Sequence, residues 1–410
     1  MTVAVEGVLL SDYYYWLMHG LIESNWLGMV IYTGVATHIT VLSVTLYLHR
    51  HMAHRSLQLS TALQHFFRFW LWLTTGMITK EWISIHRKHH AKCETKDDPH
   101  SPWINGLSNI LFLGAEAYRS EAGRDTTISQ YSSGAPEDWI ERRIYSCYPA
   151  LGVVLLLVID LVFFGILGLT VWAVQMLWIP FWAAGVVNGI GHYWGYRNFE
   201  CSDAATNIFP LGFLIGGEEL HNNHHTYPNS AKFSRKPWEF DLGWFWIRLF
   251  ELLGLAKALS ISPIAHQVPG KCVMDKEAAW AIVNDRFRVM ARYGKHVVLP
   301  LLKEERRAAD RKKRWLFVRA KKILCSDDFL LDLRSRERIR ELVNVSAKIK
   351  TIYELRLSLQ RISTNRIDDV DQLLEFLSRW CAEAEETGIE VLEKFVEELR
   401  TYSIPTRLNG

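Results

Sequence analysis

The chain has 410 residues, 49% of them hydrophobic and 12% aromatic, with 47 Lys or Arg against 44 Asp or Glu and a net charge of +3. So small an excess argues against nucleic acid as a partner. Six cysteines, at 93, 147, 201, 272, 325 and 381, show no CxxC spacing; they exclude a disulfide framework and fit a reduced, cytoplasm-facing protein.

The averages conceal two halves. Residues 1–260 hold nearly all the tryptophan and every long apolar run, whereas 270–400 are rich in charge. This predicts a membrane part over 1–260 and a soluble part over 261–410. At the N-terminus Glu6 and Asp12 occur without an early Lys or Arg, which is not the pattern of a cleaved signal peptide. Residues 8–22 are too short and polar to span a bilayer. Residues 26–48, "WLGMVIYTGVATHITVLSVTLYL", are long enough, since a crossing takes roughly 20 helical residues. Directly after them, "HRHMAHRSL" (49–57) places His49, His51 and His54 together. On an α-helix His49 and His54 stand about 140° apart, so they do not share a face.

Residues 62–79, "ALQHFFRFWLWLTTGMIT", are of marginal length and contain His65 and Arg68. "HRKHH" follows, with His86, His89 and His90. Residues 149–169 and 170–190 read as a spanning hairpin in which Asp160 needs a partner. Asn188 and His192, four residues apart, share a face at its end. "HNNHH" supplies His221, His224 and His225, and 238–256 is amphipathic and aromatic, as an interfacial helix is. From 276 to 400 apolar residues recur at i, i+3 and i+4 among mixed charges, which predicts amphipathic helices of a docking or oligomerisation domain. The last of these segments resembles C-terminal helices of bacterial transposases, without an acidic catalytic triad.

The histidines decide the chemistry. In HxxHH, positions i, i+3 and i+4 lie on one face, so each cluster can direct imidazoles at one point or bridge two adjacent ones. Imidazole suits iron, zinc, copper and nickel. Eight or nine imidazoles exceed one metal site and suit two. His19, His38, His51, His65, His266 and His296 read as interfacial or surface residues, and His100, in "DPH", stays open. Glu94, Asp97, Asp98, Glu218 and Glu219 are near enough to orient the rings by accepting their outer N–H.

"HRHMAHRS", "EWISIHRKHHAKCETKDDPHSP" and "GEELHNNHHTYPN" resemble the three histidine boxes of integral-membrane fatty acid desaturases, nearest to the bacterial acyl-CoA Δ9 (stearoyl-CoA desaturase-like) type, over roughly residues 26–256. The resemblance implies an all-α fold: an integral-membrane helical bundle with a cytoplasmic di-iron helical cap, followed by the soluble helical domain. It implies two Fe ions (Fe2+/Fe3+) on His49, His54, His86, His89, His90, His192, His221, His224 and His225, with Asn188 joining through water. The implied reaction is O2-dependent insertion of a cis double bond, at Δ9, into a long-chain acyl group. Trp82 matches the tryptophan that lines the bend of the family's substrate tunnel; Trp182, two turns before Asn188, is either a tunnel residue or an interfacial anchor. Ser84 and Ile85 stand where animal relatives have an Arg-Asp pair near the CoA headgroup, so acyl-CoA and phospholipid acyl chains are both open as substrates. No HPGG haem motif occurs, so the electron donor is a separate protein, ferredoxin-like with an NAD(P)H reductase.

All clusters must meet on one side. Residues 62–79 therefore cannot cross, and three crossings remain. Arg50, Arg55, Arg87, Lys88, Lys232, Arg235 and Lys236 make the histidine side cytoplasmic, with the N-terminus opposite, in a bacterial inner membrane. Two rival readings exist. A membrane di-iron hydroxylase would share the clusters; a metal transporter or store would show more polar residues in the spanning segments than Asp160.

Overall fold

A computed structural model of the chain describes residues 14–22, 25–262, 265–364 and 369–404. Glu6, Asp12 and the first residues of the 8–22 segment lie outside them. The chain divides into two compact units, Met1–Tyr196 with Ala205–Ile261 and Arg197–Ala204 with Ser262–Gly410. Helix dominates both; the strands among the described residues form only three two-stranded pairings.

In the first unit α1 (Trp26–Leu42) is capped by Asn25, whose side chain accepts the Gly28 N–H. Val30, Ile31 and Val35 are exposed on one face, while Ala36, Thr40 and Val41 are buried on the other. The helix runs on as a π-helical stretch, Ser43–Ala53. Among the described residues, the whole, Trp26–Ala53, is one of two helices long and apolar enough to cross a membrane.

α2 (Thr61–Thr75) starts at the Ser60 cap and stops at Gly76, which has φ +63°. A Cβ at Gly76 would stand 2.9 Å from the Pro149 carbonyl oxygen, so both the conformation and the close approach require glycine there. Fifteen helical residues rise about 22 Å, short of the roughly 30 Å hydrocarbon core. Arg68, on the buried face of α2, pairs with Asp138 and with Glu141 at 2.9 Å. α3 (Thr79–Lys92) follows and carries the second histidine cluster. α2 thus returns the chain to the place it left, because His54 before it and His86 after it are in contact.

α4 (Leu107–Ala122) runs so close to residues 180–187 that a Cβ on Gly114 would lie 2.4 Å from the Ala184 carbonyl. The second long apolar helix, Pro149–His192, folds back on itself. α5 (Pro149–Phe164) and α6 (Gly168–Ile179) are joined by Gly165–Leu167, where Gly165 has φ +60°, and Trp172 Nε1 donates to the Val153 carbonyl at 3.1 Å. Asp160 has its partner: Tyr32 Oη donates to Asp160 Oδ1 at 2.9 Å. α7 (His221–Thr226) is buried throughout. α8 (Leu242–Leu252), capped by Asp241, buries Ile247 and exposes Phe245 and Leu252, an amphipathic helix within the 238–256 segment. Behind it Ala256–Ala258 pairs antiparallel with Leu57–Leu59 and ties the chain end of the unit to the first histidine cluster.

The second unit is a helical body of its own. Its helices include α9 (Lys276–Asn284), α10 (Arg286–Tyr293), α11 (Leu299–Ala308), α12 (Ala320–Cys325), α13 (Leu333–Val345), α14 (Ala347–Thr364), α15 (Val370–Glu386) and α16 (Glu390–Arg400). The helical spacing is seen in burial: Leu373, Leu377, Trp380, Cys381 and Ala384 of α15 face inward, as do Leu392, Phe395, Val396 and Leu399 of α16. Trp380 and Tyr293 are buried at the centre with their polar atoms satisfied, donating to the carbonyls of Leu355 and Ile352. Residues 197–204 belong to this unit, where the Glu200 N–H donates to the Phe287 carbonyl.

Candidate metal centre

The π-helical stretch resolves the awkward spacing of the first cluster. A hydrogen bond closing across five residues, as from the His54 N–H to the His49 carbonyl at 3.0 Å, places residues five apart nearly above one another. His49 and His54 therefore turn to the same side, with ring centroids 4.8 Å apart. His51 turns elsewhere, its Nδ1 reaching the Leu57 carbonyl.

The two HxxHH clusters are each divided between two groups. His86 and His90 of α3 and His224 of α7 join His49 and His54; their five coordinating atoms lie within 4.8 Å of one another. His89 of α3 and His225 of α7 join His192 in a second group with Cys93. His221 belongs beside these, its Nε2 being 2.9 Å from His192 Nε2. On α3, His86 and His90 are four apart and His89 lies between them in sequence, so one turn serves both groups.

Carboxylates hold three rings from behind. His49 Nδ1 donates to Glu218 Oε1 at 2.7 Å, His89 Nδ1 to Asp98 Oδ1 at 2.9 Å and His192 Nδ1 to Glu94 Oε1 at 2.9 Å. The His89 and His100 imidazoles hold the Asp98 carboxyl well below the usual range. Glu219 does something else: it accepts the backbone N–H groups of Ile215 and Gly217, and burial pushes its carboxyl up to about 7. Asp97 is exposed.

These bonds test whether metal fits. A neutral imidazole donating from Nδ1 has a lone pair at Nε2. His89 and His192 both donate from Nδ1, and their Nε2 atoms face each other at 3.2 Å. His224 Nε2 likewise faces His49 Nε2 at 3.0 Å and His90 Nε2 at 2.9 Å, and it cannot donate to both. Lone pairs at this distance repel unless a cation lies among them. Nitrogens about 2.1 Å from a shared metal stand roughly 3 Å apart when adjacent in its coordination sphere. Burial and the neighbouring imidazoles hold His54, His86, His90, His221, His224 and His225 well below the ordinary histidine range, hence neutral and available as donors. The donor set fits metal.

Beside the histidines lies a cavity of about 640 Å3, within the size range of small-molecule sites. It reaches from Pro149, Val153 and Trp172 of the hairpin to His49, His86 and His221, and its walls are mainly apolar. Trp82 lines it and stacks on His86, with centroids 4.9 Å apart and planes 13° apart. Asn188 lines it too. Trp182 is not among the lining residues; it packs against Trp178 and Phe181.

The fatty acid desaturase family model matches residues 24–240, more than half of the chain. The chain belongs to the fatty acid desaturase family. It is 31% identical over 64% of its length to the acyl-CoA 5-desaturase AL21 of Anemone leveillei, covering 79% of that protein. It is 28% identical to the Δ9 acyl-lipid desaturase 1 of Arabidopsis thaliana, over 56% of the chain and 72% of the relative. Against the sn-1 stearoyl-lipid 9-desaturase of Anabaena variabilis the values are 30%, 54% and 79%. The protein is thus a fatty acyl desaturase, an enzyme of lipid metabolism. A second family model, described as transposase, matches residues 274–405 of the desaturase.

Two residues at the desaturase's centre are not signalled by histidine spacing. Cys93 Sγ is 3.9 Å from His89 Nε2 and 3.8 Å from His192 Nδ1. His100 is buried against His89, with ring centroids 4.2 Å apart, and lines the cavity. The one sequence signal of Cys93 is nearness to "HRKHH", whereas His100 is the histidine of "DPH" that the sequence leaves open.

Proposed function

We propose that this desaturase inserts a cis double bond at the Δ9 position of a long-chain acyl group, at two irons. His49, His54, His86, His90 and His224 would hold one; His89, His192, His221 and His225 would hold the other, with Asn188 joining through water. The observation that carries this reading is the approach of Nε2 atoms from separate rings at 2.7–3.2 Å beside an apolar cavity. Bound there, iron would supply the O2-dependent oxidation that an unactivated C–H bond requires, which no general base or nucleophile achieves.

The chain's own residues do the rest. Glu218, Asp98 and Glu94 fix ring orientation and tautomer at His49, His89 and His192. Trp82, stacked on His86, bounds the space in which the acyl chain lies against the histidines. The apolar wall excludes water and holds a flexible chain in one register, which is what selecting one carbon pair demands. Electrons come from a separate ferredoxin-like protein and its NAD(P)H reductase. The enzyme sits in a bacterial inner membrane, crossing it with residues 26–48, 149–169 and 170–190, its histidines on the cytoplasmic side. Residues 1–260 form the membrane desaturase domain and 261–410 a cytoplasmic extension. The relatives act on acyl-CoA or on acyl lipids by their names, and either carrier would suit an apolar cavity.

Mass spectrometry of the lipids of a desaturase-free bacterium expressing the chain tests this. A monounsaturated chain whose disulfide adducts place the bond at carbon 9 supports it; a hydroxylated chain overturns it. Pulse labelling then shows whether the CoA pool or the phospholipid pool is unsaturated first.

A further inference from the structure

Residues 303–322, "KEERRAADRKKRWLFVRAKK", hold ten Lys or Arg against three acids, although the whole chain carries only +3. They cover the end of α11, the turn after it, the short helix Arg314–Phe317 and the start of α12. Inward, Leu301, Leu302, Leu316, Phe317, Ala320 and Leu324 pack into the core of the second unit. The outward side is cationic: Lys303, Arg306, Arg307, Arg311, Lys312, Lys313, Arg314, Arg319 and Lys322 are exposed. Among the described residues none of the ten makes an ion pair, while Glu304 is taken by Lys348. Two apolar side chains stand out among these charges, Trp315 at 57% exposure and Val318 at 40%. Their backbone is fixed from below, since Arg338 donates to the carbonyls of Trp315, Leu316 and Val318.

We infer that this face docks on the anionic lipid headgroups of the membrane that holds the first unit. A row of exposed cations without ion-pair partners attracts an anionic surface. An indole presented among Lys and Arg is how a surface enters the headgroup layer, with the cations on lipid phosphate and the ring in the interface. The chain also supplies the proximity. The second unit is covalently joined, on both sides of residues 197–204 and again at 261/262, to the unit that carries both candidate spans. The inference rests on the membrane reading given above. The likeness to transposases makes a nucleic acid the other polyanion to test.

The experiment is hydrogen exchange on the full chain in nanodiscs of phosphatidylcholine alone and of phosphatidylcholine with phosphatidylglycerol. Exchange over 303–322 should slow about tenfold or more with the anionic lipid. The effect should weaken at about 1 M salt, where the screening length is roughly 3 Å. The Arg311→Glu/Lys312→Glu/Lys313→Glu variant should lose the lipid dependence, and Arg311→Lys/Lys312→Arg/Lys313→Arg should keep it. Equal exchange in both nanodiscs, or protection seen only on adding duplex DNA, overturns the inference. Peptides from 26–42 and 149–179 in the same samples separate the two failures. If they are protected while 303–322 ignores lipid charge, only the docking face is wrong; if they too exchange freely, the membrane reading falls and the docking face with it.

Discussion

His89 and His192 meet Nε2 to Nε2 at 3.2 Å, each ring held from behind by a carboxylate, Asp98 for one and Glu94 for the other. Two side chains 103 positions apart are oriented so that their lone pairs converge. That is an expensive arrangement for an apolar interior and a useful one for a metal.

Removing the charge behind one ring should therefore show in metal binding before it shows in folding. Glu94→Gln or Asp98→Asn should lower iron affinity about 10–100-fold, with activity falling in parallel. Iron per chain, titrated by a chelator of known strength, is the readout. Full iron retention in both variants would mean that these carboxylates only pack the site.

The histidines themselves should be all-or-none. Replacing any one of His86, His89, His90, His221, His224 or His225 by Ala should abolish unsaturated product while the protein remains in the membrane. Product from two such variants would end the assignment of two metals.

Trp82 bounds the cavity and touches a proposed ligand ring, so its loss should affect positioning more than ligation. Trp82→Ala should lower turnover about tenfold or scatter the double-bond position, with iron content unchanged. An unaltered rate and a single unaltered product would remove Trp82 from the substrate path.

Arg50 and Asp241 form an ion pair with both side chains fully buried, and Arg50 also donates to the carbonyls of Gly216 and Ala231. The pair ties the first histidine cluster to the loops around the third. Asp241→Ala leaves a buried guanidinium without its counter-charge and should cost about 3–5 kcal/mol, read as a lower melting temperature in detergent. Arg50→Met with Asp241→Leu should recover much of that loss, because no charge is then stranded.

Since His54 and His86 touch across α2, reporters fused after residue 95 and after residue 260 should both give the cytoplasmic signal. A periplasmic signal at the first position would contradict the proposed arrangement of crossings.

Much of this site could be read before the fold was known, because its signals are local. HxxHH puts three imidazoles within one helical turn, and a long apolar run followed at once by histidines marks where a buried segment stops. Asp160, alone in such a run, announced a partner without naming Tyr32. Periodicity along one helix cannot say how histidines are shared between helices, and here each HxxHH is split between two groups by which neighbours it faces. Nor could α-helical spacing join His49 to His54; the change to π-helical hydrogen bonding did that. The choice of Glu218 and Glu94 as partners of His49 and His192, the approach of Cys93 to His192, and the separation of Trp82 from Trp182 were likewise decided by packing between elements far apart in the chain, whereas Asp98 reaches His89 over only nine positions. Local sequence determines which side chains a turn can present together. Which of them converge depends on contacts that range from 32 residues, His54 to His86, to 175, His49 to His224, and those exist only once the helices have packed.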